Sequence, residues 1–229
     1  MSRRSTENLV GIVLGIALAS LAFKAVSAGF RGMFRLGRSV ANNPRTVGKR
    51  GERQILETLR SLPKEYVVFS DLLLPWKNET AQIDAVVLGP TGLHVLEVKN
   101  WHGFIEGNPD DLTWYLYTSS GRYERHNPLH QNQGHIAAIC ANLPMLPKKA
   151  CHGTVVFTKD SVDVPHGFER GELIDQESLQ RVIVDLYPKV FDTQAIVDLT
   201  AALRELNIKG RAARRSHVRR VKQKYKTEH

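Results

Sequence analysis

Gln82–Asn100, QIDAVVLGPTGLHVLEVKN, is the stretch whose reading decides the fold. Val, Ile and Leu recur on both sides of Gly89-Pro90-Thr91-Gly92, so it reads as two strands joined by a tight turn. Pro suits the second position of a type I turn and Gly the fourth. With Gly89 opposite Gly92, the antiparallel register sets Asp84 across from Glu97 on one face of the hairpin. Directly opposed residues of that kind have Cβ atoms about 4.5–5.5 Å apart.

Strands this apolar are expected to be mostly buried, and a facing pair of carboxylates is then costly. One pKa must rise, or a cation must lie between them. Lys99, two residues beyond Glu97, shares its face and can bring an ammonium to the same point. Two oxygen donors suit a hard divalent ion such as Mg²⁺ or Mn²⁺. The lysine can orient or activate a water beside it, which is the equipment of metal-assisted phosphodiester hydrolysis. The same residues also read as a structural Asp–Lys–Glu cluster. A register slip of one residue would separate the carboxylates onto opposite faces.

Working outward, Gly51–Leu62 has Ile55, Leu56, Leu59 and Leu62 at helical spacing, ended by Pro63. Tyr66–Leu74 is a strand closed by Pro75-Trp76. Beyond the hairpin, His102–Gly107 and Leu112–Thr118 read as shorter strands about the turn Asn108-Pro109-Asp110. Asn127-Pro128 is a helix start, cap then first position, with the helix running to about Asn142. Gly153–Thr158 is a short buried strand, and Asp175–Tyr187 and Asp192–Leu206 read as helices. The order predicts an α/β fold, an α+β sandwich with a mixed central sheet flanked by helices.

The formal charge of +9 is unevenly spread over the 229 residues. Residues 1–50 carry nine Lys/Arg and one acid, and residues 209–229 carry the same; the middle, 51–208, has a net charge of −7. The folded part is therefore acidic, and the ends favour an anionic surface, lipid or nucleic acid. Leu9–Phe30 is apolar and small over 22 residues, with one lysine, Lys24. It reads as a membrane-spanning helix. Two basic residues precede it and six follow by position 50, which puts the C-terminal side in the cytoplasm. A single-pass protein of the inner membrane is the expectation. The rival is a signal peptide cleaved after Val26-Ser27-Ala28. Cys140 and Cys151 are too few for a disulfide framework, and no zinc-type spacing occurs. The expected layout is an anchor over 1–30, a basic linker over 31–48, a core over 49–160, a helical part over 161–208, and a basic tail over 209–229. The tail reads as disordered, or helical only when bound.

At Gly51-Glu52, Gln82-Ile83-Asp84, Glu97-Val98-Lys99-Asn100-Trp101 with Gly103, and Asn127-Pro128-Leu129 with Gln131, the sequence resembles the nuclease-related domain (NERD) family, itself similar to the PD-(D/E)xK nucleases. The resemblance covers about Lys49–Thr158 and implies a restriction-endonuclease-like core of α-β-β-β-α-β order. It further implies Asp84 and Glu97 as metal ligands and Lys99 as the residue that steadies the attacking water or the phosphate. Glu52 on the first helix would be an additional acidic site residue, and Gln131 would complete the set. Two positions depart from the family pattern: Ala85 stands where His usually follows the Asp, and Ile83 stands in place of the Pro. The implied substrate is nucleic acid, DNA first and RNA as the alternative. A membrane-tethered binding module with this fold and little activity is the competing expectation. Trp101 is read as core, His94 as lying on the face opposite Asp84, and His126, His130 and His135 as surface residues.

Overall fold

The computed structural model describes residues 44–158, 162–163 and 172–227. The apolar stretch 9–30 and most of the basic linker lie outside the described residues. Among the described residues, no helix is long and apolar enough to cross a membrane. From Asn43 onward the chain forms a single unit.

Helix α1 spans Pro44–Leu59, followed by β1 (Val67–Trp76), β2 (Glu79–Gly89) and β3 (Gly92–Lys99). Three strands of a second sheet follow, β4 (Gly103–Glu106), β5 (Thr113–Thr118) and β6 (Gly121–His126). Then come α2 (Pro128–Asn142), β7 (Cys151–Phe157), the short β8 (Val162–Asp163), β9 (Leu173–Asp175), α3 (Leu179–Asp185), α4 (Thr193–Leu206) and α5 (Arg211–Thr227).

The larger sheet has the order β1-β2-β3-β7-β9; β1, β2 and β3 are antiparallel and β7 runs parallel to β3. Leu93, Val95, Val86, Leu88, Leu72 and Leu74 pack beneath Ile139 of α2, Leu143 just after it, and Ile196, Leu199 and Leu203 of α4. On the other face Ala85, Val87, Leu96 and Val156 pack against Ile55 and Leu59 of α1 and Leu179 and Ile183 of α3. Helices thus cover both faces, which is why β3 is buried from Gly92 through Glu97 without alternation. The sheet is mixed and the architecture α/β, as the sequence predicted. The second sheet, β6-β5-β4-β8, is joined to the first through Ile105, Trp114, Leu116, Val155 and Phe157.

Gly89 pairs with Gly92, and the ladder continues to Ala85 against Leu96. This is the expected register. The hairpin is central in its sheet, with β1 on one side and β7 on the other. Several expected boundaries move. Helix α1 starts at Pro44, inside the stretch read as linker, and ends at Leu59. Strand β1 continues through Pro75, which pairs with Thr80, into a tight reversal where Lys77 takes a φ of 52°. The tail is a seventeen-residue helix, α5, held by polar contacts described below.

One irregularity positions the site. Phe69 and Leu72 of β1, and Val86 and Ile83 of β2, pack with the same core although each pair is three residues apart. The in–out alternation therefore slips between them, at Asp71 and Asp84. Asp71 takes up the slip with a φ of 52°, a left-handed conformation that aspartate tolerates better than most residues.

Candidate functional site

One step beyond the last regular pair of the hairpin, Asp84 turns its carboxylate toward β3. Its Oδ2 accepts the Val98 N–H at 2.9 Å. Burial, and next the charge of Glu97, push its pKa up to about 7. Glu97 is 2% exposed. Its Oε1 accepts a hydrogen bond from Lys99 Nζ at 2.5 Å. Burial raises its pKa, Lys99 opposes that rise, and the charge of Glu52 adds to it. The same ammonium donates to Gln131 Oε1 at 3.0 Å, which leaves one of its three N–H groups.

Helix α2 delivers Gln131 because its start is fixed. Asn127 caps it by accepting the Leu129 N–H at 2.9 Å, while its amide donates to Pro109 O and Asp111 O. Asn132 then pins the helix to the sheet by donating to Val95 O at 2.9 Å. His135, one turn beyond Gln131, lies on the same side of the helix. It is buried rather than a surface residue, with Nδ1 3.4 Å from Glu97 Oε2. Burial, then the charges of Lys99 and His217, lower its pKa to about 4. The ring is therefore neutral at pH 7, and the contact is not an ion pair. Neither Glu97 Oε2 nor His135 Nδ1 has a hydrogen-bond partner.

Gly51 explains how α1 reaches the site. A Cβ there would lie 2.9 Å from Asn100 Cβ and 3.0 Å from Thr158 Cγ2, so only glycine allows the helix this close to the ends of β3 and β7. Glu52 is exposed, and its charge reaches Glu97. Trp101 packs on Phe157 with ring centroids 5.9 Å apart, and Lys99 lies 5.7 Å from the Trp101 ring. His94 is remote from the carboxylates, buried beside Thr91 and His152.

The structure thus gathers Asp84, Glu97, Lys99 and Gln131, with Glu52 at the rim. It adds two residues that sequence reasoning missed. His135 was findable from its spacing of four from Gln131. Asp71 lies across from Asp84, between the pairs Ser70–Ala85 and Leu72–Ile83, and its charge contributes to the rise at Asp84. Nothing in the sequence marked that slip.

The donor set fits a hard divalent cation. A buried carboxylate oxygen without a partner, beside a second carboxylate whose pKa is raised, is a pair that a positive ion would relieve. Among the described residues, no group of three or more His, Cys, Asp and Glu side chains could hold a metal ion unaided. Two carboxylates with water and phosphate oxygens match the usual Mg²⁺ arrangement.

Residues 47–158 match the family model of the nuclease-related domain. With the α-β-β-β-α-β core and the carboxylate–lysine site inside that span, the fold and site define a nuclease-related domain. Residues 47–158 of the chain belong to the nuclease-related domain family. It is 27% identical over 188 residues to an uncharacterized protein of Bacillus anthracis, covering 80% of this chain and 87% of that one. It is 35% identical over 89 residues to a protein of Streptomyces coelicolor named as the probable kinase PglW. That match covers 34% of this chain but 5% of the longer protein.

Proposed function

We propose that the protein is a metal-dependent phosphodiesterase acting on nucleic acid, DNA in the first instance, tethered to the inner membrane by residues 9–30 with its domain in the cytoplasm. The observation that carries this reading is the buried, unpartnered Glu97 Oε2 beside Asp84 and Lys99. Asp84 and Glu97 would hold Mg²⁺ or Mn²⁺, which supplies positive charge against the charge developing on the phosphate. Lys99, its direction fixed by Glu97 and Gln131, uses its remaining N–H to orient a water or a phosphate oxygen. Neutral His135 offers no competing positive charge beside Glu97. Glu52, exposed at the rim, acts on the site through its charge. The tether rests on the apolar stretch and on the six-to-two basic asymmetry around it.

The test is cleavage of duplex DNA, single-stranded DNA and RNA by the full chain in detergent, with Mg²⁺, Mn²⁺ or EDTA. Metal-dependent cleavage that disappears in Asp84→Asn and in Glu97→Gln is the expected result. Absence of both cleavage and any metal-induced rise in melting temperature would reject the proposal. The short Lys99–Glu97 contact favours a second reading, a binding module in which the ammonium replaces the metal. In that case nucleic acid binds equally well in EDTA and is not cut.

A further inference from the structure

The acidic domain surrounding the site should repel a polyanion, yet the helix at its rim carries eight Lys/Arg and no acid in seventeen residues. Helix α5 is divided by face. Arg214 donates to Asp71 Oδ2 at 2.6 Å, to Asp71 O at 2.5 Å and to Ile208 O at 3.0 Å. His217 Nδ1 lies 2.8 Å from Thr80 Oγ1, and Arg220 donates to the same oxygen at 2.9 Å. These three residues, spaced by three, dock the helix on β1 and β2. Arg211, Arg215, Arg219 and Lys222, spaced by four, four and three, form the opposite face, and all four are exposed. At 1.5 Å per residue that row is about 16 Å long.

Its position gives the row a use. Asp71, which anchors Arg214, lies across the ladder from Asp84. The docked face therefore meets the sheet beside Asp71 and Asp84, and the exposed row runs along the helix from there. We propose that α5 is a phosphate-backbone arm: Arg211, Arg215, Arg219 and Lys222 hold the sugar–phosphate backbone of a nucleic acid, without reading its bases, and bring it to the Asp84–Glu97–Lys99 site. The proposal rests on the phosphodiesterase reading for what happens at that site, but not for the binding itself. Nucleic acid is favoured over a lipid surface by composition. A helix lying in a membrane interface needs bulky Leu, Phe or Trp along one side. The cationic row is interleaved with Ala212, Ser216 and Gln223, and the apolar residues near it are Val218 and Val221. Four arginines or lysines with no acidic neighbour on the helix match the regular negative charge of a nucleic-acid backbone.

The experiment is a salt titration of binding. The full chain in detergent, carrying Asp84→Asn and with EDTA present to prevent cutting, is titrated against a fluorescent 20-base-pair duplex. The same protein also carrying Arg211→Gln, Arg215→Gln, Arg219→Gln and Lys222→Gln is compared across 50–200 mM salt. Four lost phosphate contacts should reduce the slope of log K against log salt by about 3.6. The melting temperature should stay unchanged, since the row makes none of the docking contacts. An equal slope in both proteins overturns the inference. So does an unchanged slope accompanied by protection of α5 from trypsin in phosphatidylserine nanodiscs but not in phosphatidylcholine ones, which would assign the row to lipid. If the slope falls but no condition gives cleavage, the arm stands and the phosphodiesterase reading fails. If the parent chain cleaves but the slope is unchanged, the phosphodiesterase reading stands and the arm fails.

Discussion

At the turn end of the β2–β3 hairpin, Thr91 and His94 are buried in a closed set of hydrogen bonds; at the open end, Asp84 and Glu97 are held in one left incomplete. Thr91 Oγ1 donates its single proton to Ile183 O at 2.6 Å. Tyr66 Oη at 3.2 Å and His94 Nε2 at 3.0 Å must then both donate to Thr91. Burial followed by the charge of His152 lowers the pKa of His94 to about 3, so the ring is neutral with its proton on Nε2. Its Nδ1 lacks a partner, but a lone pair on a neutral ring costs far less than a charge. His152 donates to Thr91 O at 3.2 Å and stacks on Tyr187 at 3.6 Å. At the open end the unpartnered atoms are Nδ1 of neutral His135 and Oε2 of the Glu97 carboxylate, which is 2% exposed. Burying polar groups on a strand is therefore compatible with a purely structural role. What separates the two ends is whether a charge is left for something outside the chain to satisfy.

Removing that charge tests the contrast most severely. Glu97→Gln should reduce cleavage by roughly a hundredfold to a thousandfold, the scale of losing one group that acts on transition-state charge. Initial rates with Mg²⁺ on the purified variant check this. A rate within threefold of the parent would make the open end as structural as the turn end.

Thr91→Val addresses the other end. It leaves Ile183 O, Tyr66 Oη and His94 Nε2 without their shared partner, so a loss of about 2–3 kcal/mol in stability is expected. Cleavage per folded molecule should not change. Denaturant unfolding measures the first, and rates normalised to the folded fraction measure the second.

Changing the pH also separates the two ends, because their contributions have opposite signs. His94 has a folded pKa below its ordinary 6.5. Between pH 6.5 and about 3 the unfolded chain binds more protons there, so stability is lost as pH falls, by about 1.4 kcal/mol per pH unit at most. The difference in unfolding free energy between the parent and His94→Phe should therefore vary with pH below 6.5 and be flat above it. Asp84, raised from 3.8 to about 7, binds more protons in the folded state. Its contribution to stability is lost as pH rises through that window.

How much of this was legible in the sequence follows from where the information lay. The turn Gly89–Gly92 and the apolar residues on either side of it specify the register locally, so the ladder as far as Ala85 and Leu96 could be read directly, whereas the slip at Asp84, one step further, could not. Asn127-Pro128 marked the start of α2 for the same reason. Strand β6, GRYERH, was missed because almost all of it is exposed and carries no apolar alternation. Helix α5 was missed because no apolar stripe docks it. Its anchors are Arg214 and His217, whose partners Asp71 and Thr80 are distant in sequence. His135 was read as surface since a lone histidine on a helix carries no sign of burial until the sheet beneath it is known.

The smallest effect is the most discriminating. In Asp84→Asn a neutral amide replaces a half-buried carboxylate that lies beside Glu97 and accepts the Val98 N–H. In EDTA at pH 8 the variant should be equal in stability to the parent or up to about 1 kcal/mol more stable, a figure kept small because the group is partly solvated. At pH 4 the gain should vanish, since the parent carboxyl is then protonated. With millimolar Mg²⁺ at pH 8 the order should reverse, because the parent gains binding free energy that the variant lacks. Melting curves of both proteins under the three conditions decide the matter. Equal destabilisation by the substitution with and without metal would mean that Asp84 serves the Val98 N–H and the charge of Lys99 alone. The open end of the hairpin would then be closed in the same sense as the turn end.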